Sequence, residues 1–206
     1  RIIVLSDDTT LEIRQEIFNR INTTGREANP SEIRRGSFRG PFMDFLMECT
    51  KDPVFKEVCP ISETMSKRYE QLELVIRFFA FLNRYEQFTH RVDTFLDKYI
   101  EDVKDSFEKD KMKEEFDRTM KFVKKYFPYG FAKSANAKST PRVRFEAIAV
   151  GVALALRENP ELQPASMKWL DSKEFKIHTT THASNSPARV SGRILYVKKM
   201  LLTGME

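Results

Sequence analysis

The residues best suited to chemistry crowd into one stretch, "FNRINTTGREANPSEIRRG", residues 18–36. It holds four arginines, three asparagines, two adjacent threonines and two glycines. A polar loop that leads into a helix N-terminus suits an anion, because backbone N–H groups and the helix dipole favour negative charge there. Arg20 can form a fork to phosphate oxygens, and Asn22 and Thr24 can add neutral hydrogen bonds. Thr23 and Gly25 complete the loop. Capping accounts for part of the same pattern. Gly25 suits a helix stop, Asn29 an N-cap, Pro30 the first helical position, and Glu32 a capping box. Capping leaves Arg20, Asn22, Arg34 and Arg35 unexplained.

Other chemistries are weakly represented. His178 and His182 stand four apart in "HTTTH", a spacing that places two metal ligands on one helical face. Three intervening threonines and the missing Glu favour a polar loop or helix start instead. Cys49 and Cys59 lack a matching His pair and read as ordinary thiols. No Gly-x-Ser-x-Gly element, Walker-type loop or His-Asn-His nuclease pattern occurs. Two basic groups remain: Arg34, Arg35 and Arg39, spaced to share a helical face, and Lys121, Lys124 and Lys125. Such groups usually solvate a surface; the Arg34–Arg39 group is also a candidate for DNA backbone contact.

The elements that position these residues are mostly helical. Ile2–Leu5 reads as a buried strand. A helix follows, with Thr9 and Glu12 at capping-box spacing, an apolar stripe of Leu11, Ile17, Phe18 and Ile21, and Gly25 as its stop. A second helix starts at Asn29–Pro30 and meets a break at Gly40–Pro41, after which "PFMDFLMEC" continues. The strongest helical pattern spans Ser62 to about Tyr85 and is apolar on almost all sides from Leu72 to Leu82. Two amphipathic helices are expected over Val92–Lys109 and Lys111–Phe127, then a loop over Pro128–Pro141. "RVRFEAIAVGVALALRE" is a buried, Ala-rich helix whose small residues allow close approach of a neighbour. Trp169 and Leu170 lie in a short helical piece. The last helix has Ser186 as N-cap, Pro187 at its first position and Gly204 as its stop. The expected fold is mainly α: a multi-helix bundle with one short N-terminal strand.

The chain has 206 residues, 41% of them hydrophobic, with 17 Phe, so a sizeable core can form. A net charge of +5 permits nucleic-acid contact without demanding it. Two cysteines and no disulfide framework fit a reducing cytoplasm. No run of about 18 apolar residues marks a membrane span, and no signal peptide is visible.

Five words of this sequence resemble the GmrSD-type restriction protein family: "IFNRINTTGREANPSEIRRGSFRGPF", "LELVIRFFAF", "FLDKYI", "RFEAIAVGVALAL" and "HASNSPARVSGRILYVKKML". They run through nearly the whole chain in the family's order. The resemblance implies a ParB/sulfiredoxin-like α/β region that binds and hydrolyses nucleotide through an Asp-Gly-Gln-Gln-Arg motif. It further implies prokaryotic defence in which NTP, with Mg2+ expected by analogy, controls cleavage of modified phage DNA. On this basis residues 1–40 are the tail of the nucleotide-site region and 41–206 a helical domain. Arg20, Asn22, Thr23, Thr24 and Gly25 would bind or support phosphate, and Asn29, Glu32 and Arg34 would buttress them. Arg34, Arg35 and Arg39 would face the same mouth or DNA. Asp-Gly-Gln-Gln-Arg and the nuclease signature occur nowhere in these residues. The expected partner is therefore an upstream part of the same protein, alongside DNA. An unpaired edge on the Ile2–Leu5 strand would also promote association between copies. The alternative is a stand-alone helical module that binds DNA or protein without catalysis.

Overall fold

A computed structural model describes residues 6, 9–10, 13, 16–17, 28–180 and 185–204. The Ile2–Leu5 strand and the Arg20–Gly25 loop lie outside the described residues. So does most of the first expected helix, although Ile13, Glu16 and Ile17 are helical.

The described residues form ten α-helices: α1 (Pro30–Ser37), α2 (Pro41–Lys51), α3 (Pro53–Val58), α4 (Glu63–Ser66), α5 (Glu70–Arg84), α6 (Val92–Val103), α7 (Lys109–Tyr126), α8 (Arg142–Glu158), α9 (Lys173–His178) and α10 (Pro187–Thr203). Two 3-10 turns lie at Tyr85–Gln87 and Lys168–Asp171. The mainly α expectation holds, and no strand occurs among the described residues. None of their helices is long and apolar enough to cross a membrane.

α5 and α8 form the centre, as their all-round apolar patterns require. α8 packs against α5, α7 and α10. The small residues of α8 have the use expected of them: a Cβ on Gly151 would sit 2.6 Å from Val197 Cβ and 2.9 Å from the Ile194 carbonyl oxygen of α10. Aromatic rings tie the centre together. Phe45 meets Phe79 at 5.6 Å, Phe79 meets Phe116 at 6.0 Å, and Phe116 meets Phe55 at 5.5 Å. Phe55 then contacts Phe145 at 6.3 Å, and Phe145 contacts Phe131 at 4.6 Å. Such offset and edge-on pairs add specific attraction to simple burial.

Helix ends follow local chemistry. Asn29 Oδ1 accepts from the Glu32 amide at 2.9 Å, and the Asn29 amide donates to Glu32 Oε2 at 2.6 Å, completing the expected capping box. Ser186 caps α10 by accepting from the Arg189 amide at 3.4 Å. Gly204 ends α10 at φ +60°.

One expected element is broken. The Ser62–Tyr85 helix divides into α4 and α5 at Tyr69, which takes a left-handed φ of 58°. A non-glycine residue there carries a cost of about 1–2 kcal/mol. The break turns Arg68 toward α1: its carbonyl accepts from Asn29 Nδ2 at 3.2 Å, and its guanidinium reaches Glu32 at 3.1 Å. Tertiary bonds to the α1 cap therefore override an uninterrupted helical pattern. The Val92–Lys109 expectation is shortened as well: α6 ends at Val103, and Lys109 instead opens α7.

Candidate functional site: a buried chain of arginines and carboxylates

Charged residues inside apolar helices must find partners, since an unpaired buried charge is prohibitively costly. Here they find one another. Arg34 of α1, Glu73 and Arg77 of α5, Glu146 of α8 and Arg193 of α10 form one chain, each residue 6% exposed or less. Arg34 Nη1 donates to Glu73 Oε2 at 2.6 Å, and Arg77 Nε donates to Glu73 Oε1 at 2.8 Å. Arg77 Nη1 donates to Glu146 Oε1 at 2.5 Å, and Arg193 Nη2 donates to Glu146 Oε2. Four helices are thus joined end to end by alternating charge.

The chain has branches. Ser31 Oγ donates to Glu73 Oε2 at 2.9 Å. Arg34 Nε donates to Asp97 of α6 at 2.6 Å, with Asp93 at 3.4 Å from Nη2. Beside the chain, Arg142 of α8 grips Glu70 of α5 with two bonds of 2.6 Å, the fork geometry in which arginine differs from lysine.

The electrostatics follow from this pairing. Burial alone would raise the Glu73 pKa, but the Arg77 and Arg34 guanidiniums more than reverse it and hold it at about 2. Burial likewise opposes the charge on Arg34, and Glu73 and Asp97 outweigh it, so the Arg34 pKa is raised. Asp97 moves upward: burial outweighs its bond to Arg34, and the nearby Asp93 and Glu73 carboxylates add to burial.

Chemically, the chain holds rather than reacts. Glu73 and Glu146 each accept from two guanidiniums, which leaves neither free as a general base nor available to Mg2+. These carboxylates do not fit a magnesium site, so a nucleotide's Mg2+ would need ligands from elsewhere in the protein.

The residues expected from sequence fall in three places. Arg20, Asn22, Thr23, Thr24 and Gly25 lie outside the described residues. Asn29 and Glu32 hold the start of α1, as their types require. The arginine trio does not share a face: Arg34 is buried in the chain, Arg35 is half-buried, and Arg39 is exposed in the link after α1. The reason is geometric, since α1 stops at Ser37 before the next helical turn can bring Arg39 round. Arg34 also ties α1, assigned from sequence to residues 1–40, directly into the helices of 41–206.

The other candidates are accounted for locally. Lys124 pairs with Glu57 at 2.7 Å, and Lys125 lies 4.8 Å over the Tyr126 ring. Lys121 lines a shallow hollow with Lys113, Asp117 and Arg118. His178 ends α9 and stacks on Tyr196 at 4.7 Å, while His182 lies outside the described residues. Cys49 and Cys59 are buried, and burial pushes both thiols up to about 12.

Sequence reasoning passed over Glu73, Arg77, Glu146 and Arg193. A signal was present: "LELVIRFF" and "RFEAIAVG" each set charge inside an apolar run, and Glu73 and Arg77 stand at i, i+4. Compared with family models, curated proteins and solved structures, the chain matches none of them.

Proposed function

We propose that this chain is the helical portion of a prokaryotic NTP-dependent defence protein acting on modified or phage DNA, in which the Arg20–Gly25 loop supports a nucleotide-phosphate site. One observation carries the reading. Each of the five words that resemble the GmrSD-type family contributes a member of the buried charge chain or its branch: Arg34, Glu73 with Arg77, Asp97, Glu146 and Arg193. Words scattered over the sequence therefore meet in one physical device. That device grips α1, the helix that directly follows the loop. Its role in this reading is to fix the direction from which the loop approaches phosphate. Arg34 is then a positioning residue, not a DNA contact.

The test is nucleotide hydrolysis by the protein from its complete reading frame, compared with Arg20→Ala. Turnover should fall at least tenfold while helical content and Tm stay unchanged. Unchanged turnover in folded Arg20→Ala protein would remove the role given to the loop.

A stand-alone DNA-binding module is the competing reading. It is favoured by Arg35 Nε, which is buried with no hydrogen-bond partner among the described residues, and by the exposed side chain of Arg39. That reading requires salt-sensitive DNA binding by this chain that weakens when Arg35 and Arg39 are both replaced by Gln.

A further inference from the structure

A second region carries charge with no ion-pair partner among the described residues. A cleft of about 430 Å³ opens between the Phe127–Gly130 turn, the start of α8, and the Met167–Thr180 segment. Its volume falls in the range of small-molecule pockets, roughly 300–1,000 Å³. Three cations line it, Lys133, Arg144 and Lys176, against one carboxylate, Asp171. Among the described residues none of the three cations forms an ion pair.

Arg144 is the informative member. It is half-buried, its Nε donates to the Ala132 carbonyl at 3.0 Å, and its guanidinium lies 4.9 Å over the Phe175 ring. Arg34, Arg77, Arg142 and Arg193 all meet carboxylates. Arg144 meets a carbonyl and a ring, which position it without neutralising it. Burial accordingly lowers its pKa, and Asp171 offsets this only in part. A desolvated, oriented and uncompensated guanidinium is what an anion site requires.

The remaining walls supply an apolar body. Tyr129 is 49% exposed, the most exposed large aromatic among the described residues. Met167 and Leu170 add half-buried apolar surface. Gly130 builds the wall in a way that no other residue can match. At φ +54°, an added Cβ would stand 2.2 Å from the Val58 carbonyl oxygen. The next amide, that of Phe131, donates to that same oxygen at 2.8 Å. The wall is thus fixed by backbone and does not depend on a ligand for its shape.

We infer that this cleft binds a small organic phosphate bearing a planar ring, with Arg144, Lys133 and Lys176 receiving the phosphate and Tyr129 the ring. A dianion meets three cations better than a monoanion does, and an exposed tyrosine face stacks planar rings. The inference is independent of the reading given to the Arg20–Gly25 loop, because it is argued from Tyr129, Lys133, Arg144 and Lys176 alone.

Phenyl phosphate is the probe, titrated by calorimetry. Trp169, the single tryptophan of the chain, reports the location, since it sits in the Lys168–Asp171 3-10 turn, which contributes the lining residues Leu170 and Asp171 and follows the lining residue Met167. Phenyl phosphate should bind and shift Trp169 fluorescence. Benzoate, phenol and inorganic phosphate should each bind at least tenfold more weakly. Lys133→Gln with Lys176→Gln should weaken phenyl phosphate about tenfold; both lysines are exposed, so the fold is kept. Tyr129→Ser should remove the advantage of phenyl phosphate over inorganic phosphate. Absence of phenyl phosphate binding, equal binding of benzoate, or full binding by the double lysine variant would each overturn the inference.

Discussion

The buried charge chain and the cationic cleft use the same side chains to opposite ends. In the chain, every guanidinium meets a carboxylate, and the carboxylates are saturated in turn. In the cleft, three cations face one carboxylate and Arg144 is held by a carbonyl and a ring. α8 serves both regions, with Glu146 in the chain and Arg144 at the cleft, two residues apart and so on different sides of the helix. Saturated charge specifies how helices meet. Unsaturated charge remains available to something else. The distinction lies in the partner list, not in residue type, and four experiments can break or sharpen it.

The largest effect should come from the chain. Glu146→Leu removes a carboxylate from both Arg77 and Arg193 in a site with almost no solvent. Breaking such a pair costs about 3–5 kcal/mol, which lowers Tm by about 10 °C in a domain of this size. A thermal melt followed by circular dichroism checks this. A Tm within 2 °C or so of the parent would mean that the chain does not hold the helices together.

Next is Gly130→Ala, which tests whether the cleft wall is set by backbone. The substitution meets both a left-handed φ and the Val58 carbonyl oxygen. A loss of about 2 kcal/mol, or roughly 5 °C, is expected in the same melt. Phenyl phosphate binding should fall along with it, whereas the Glu73 and Glu146 bonds are untouched.

Acid should separate the two regions at an intermediate scale. Glu73 has its folded pKa depressed to about 2, against roughly 4.3 for an unfolded glutamate. Its stabilising contribution is therefore complete above the unfolded value and is lost as pH falls toward 2. Asp97, with its pKa raised, works in the opposite sense and partly offsets this loss. Tm measured from pH 5 to pH 2 should fall more steeply in the parent than in Glu73→Gln, which lacks the titrating group. Parallel curves would show that Glu73 does not carry the acid sensitivity.

The smallest effect is the complementary one. Lys133→Gln and Lys176→Gln remove exposed charges that form no ion pair among the described residues, so Tm should stay within about 2 °C of the parent. A large loss would mean that these lysines support the fold, and the contrast between the two regions would fail.

Much of the framework was legible because its signals are local. Asn29–Pro30–Glu32, Ser186–Pro187 and Gly204 sit where capping chemistry places them. α5 and α8 announce themselves by apolar runs longer than any surface helix would carry. The break at Tyr69 was not legible, because it is held by Asn29 and Glu32, 40 and 37 residues earlier. The Arg34–Arg35–Arg39 grouping misled for a similar reason. Spacing shows which residues can share a face of a continuing helix. It does not show where that helix stops, or that Glu73 and Asp97 wait for one arginine of the three.

By itself, the sequence determined the helical class, the caps, the buried centre and the requirement that Glu73, Arg77 and Glu146 find partners. These follow from bonds within one or two turns and from the exclusion of apolar side chains from water. Only the tertiary structure decided who the partners are. An arginine looks the same in sequence whether it will be neutralised by a glutamate from another helix or left facing a cleft. Charge compensation acts over a few ångströms of space, and the chain brings those ångströms together from residues as far apart as Arg34 and Arg193.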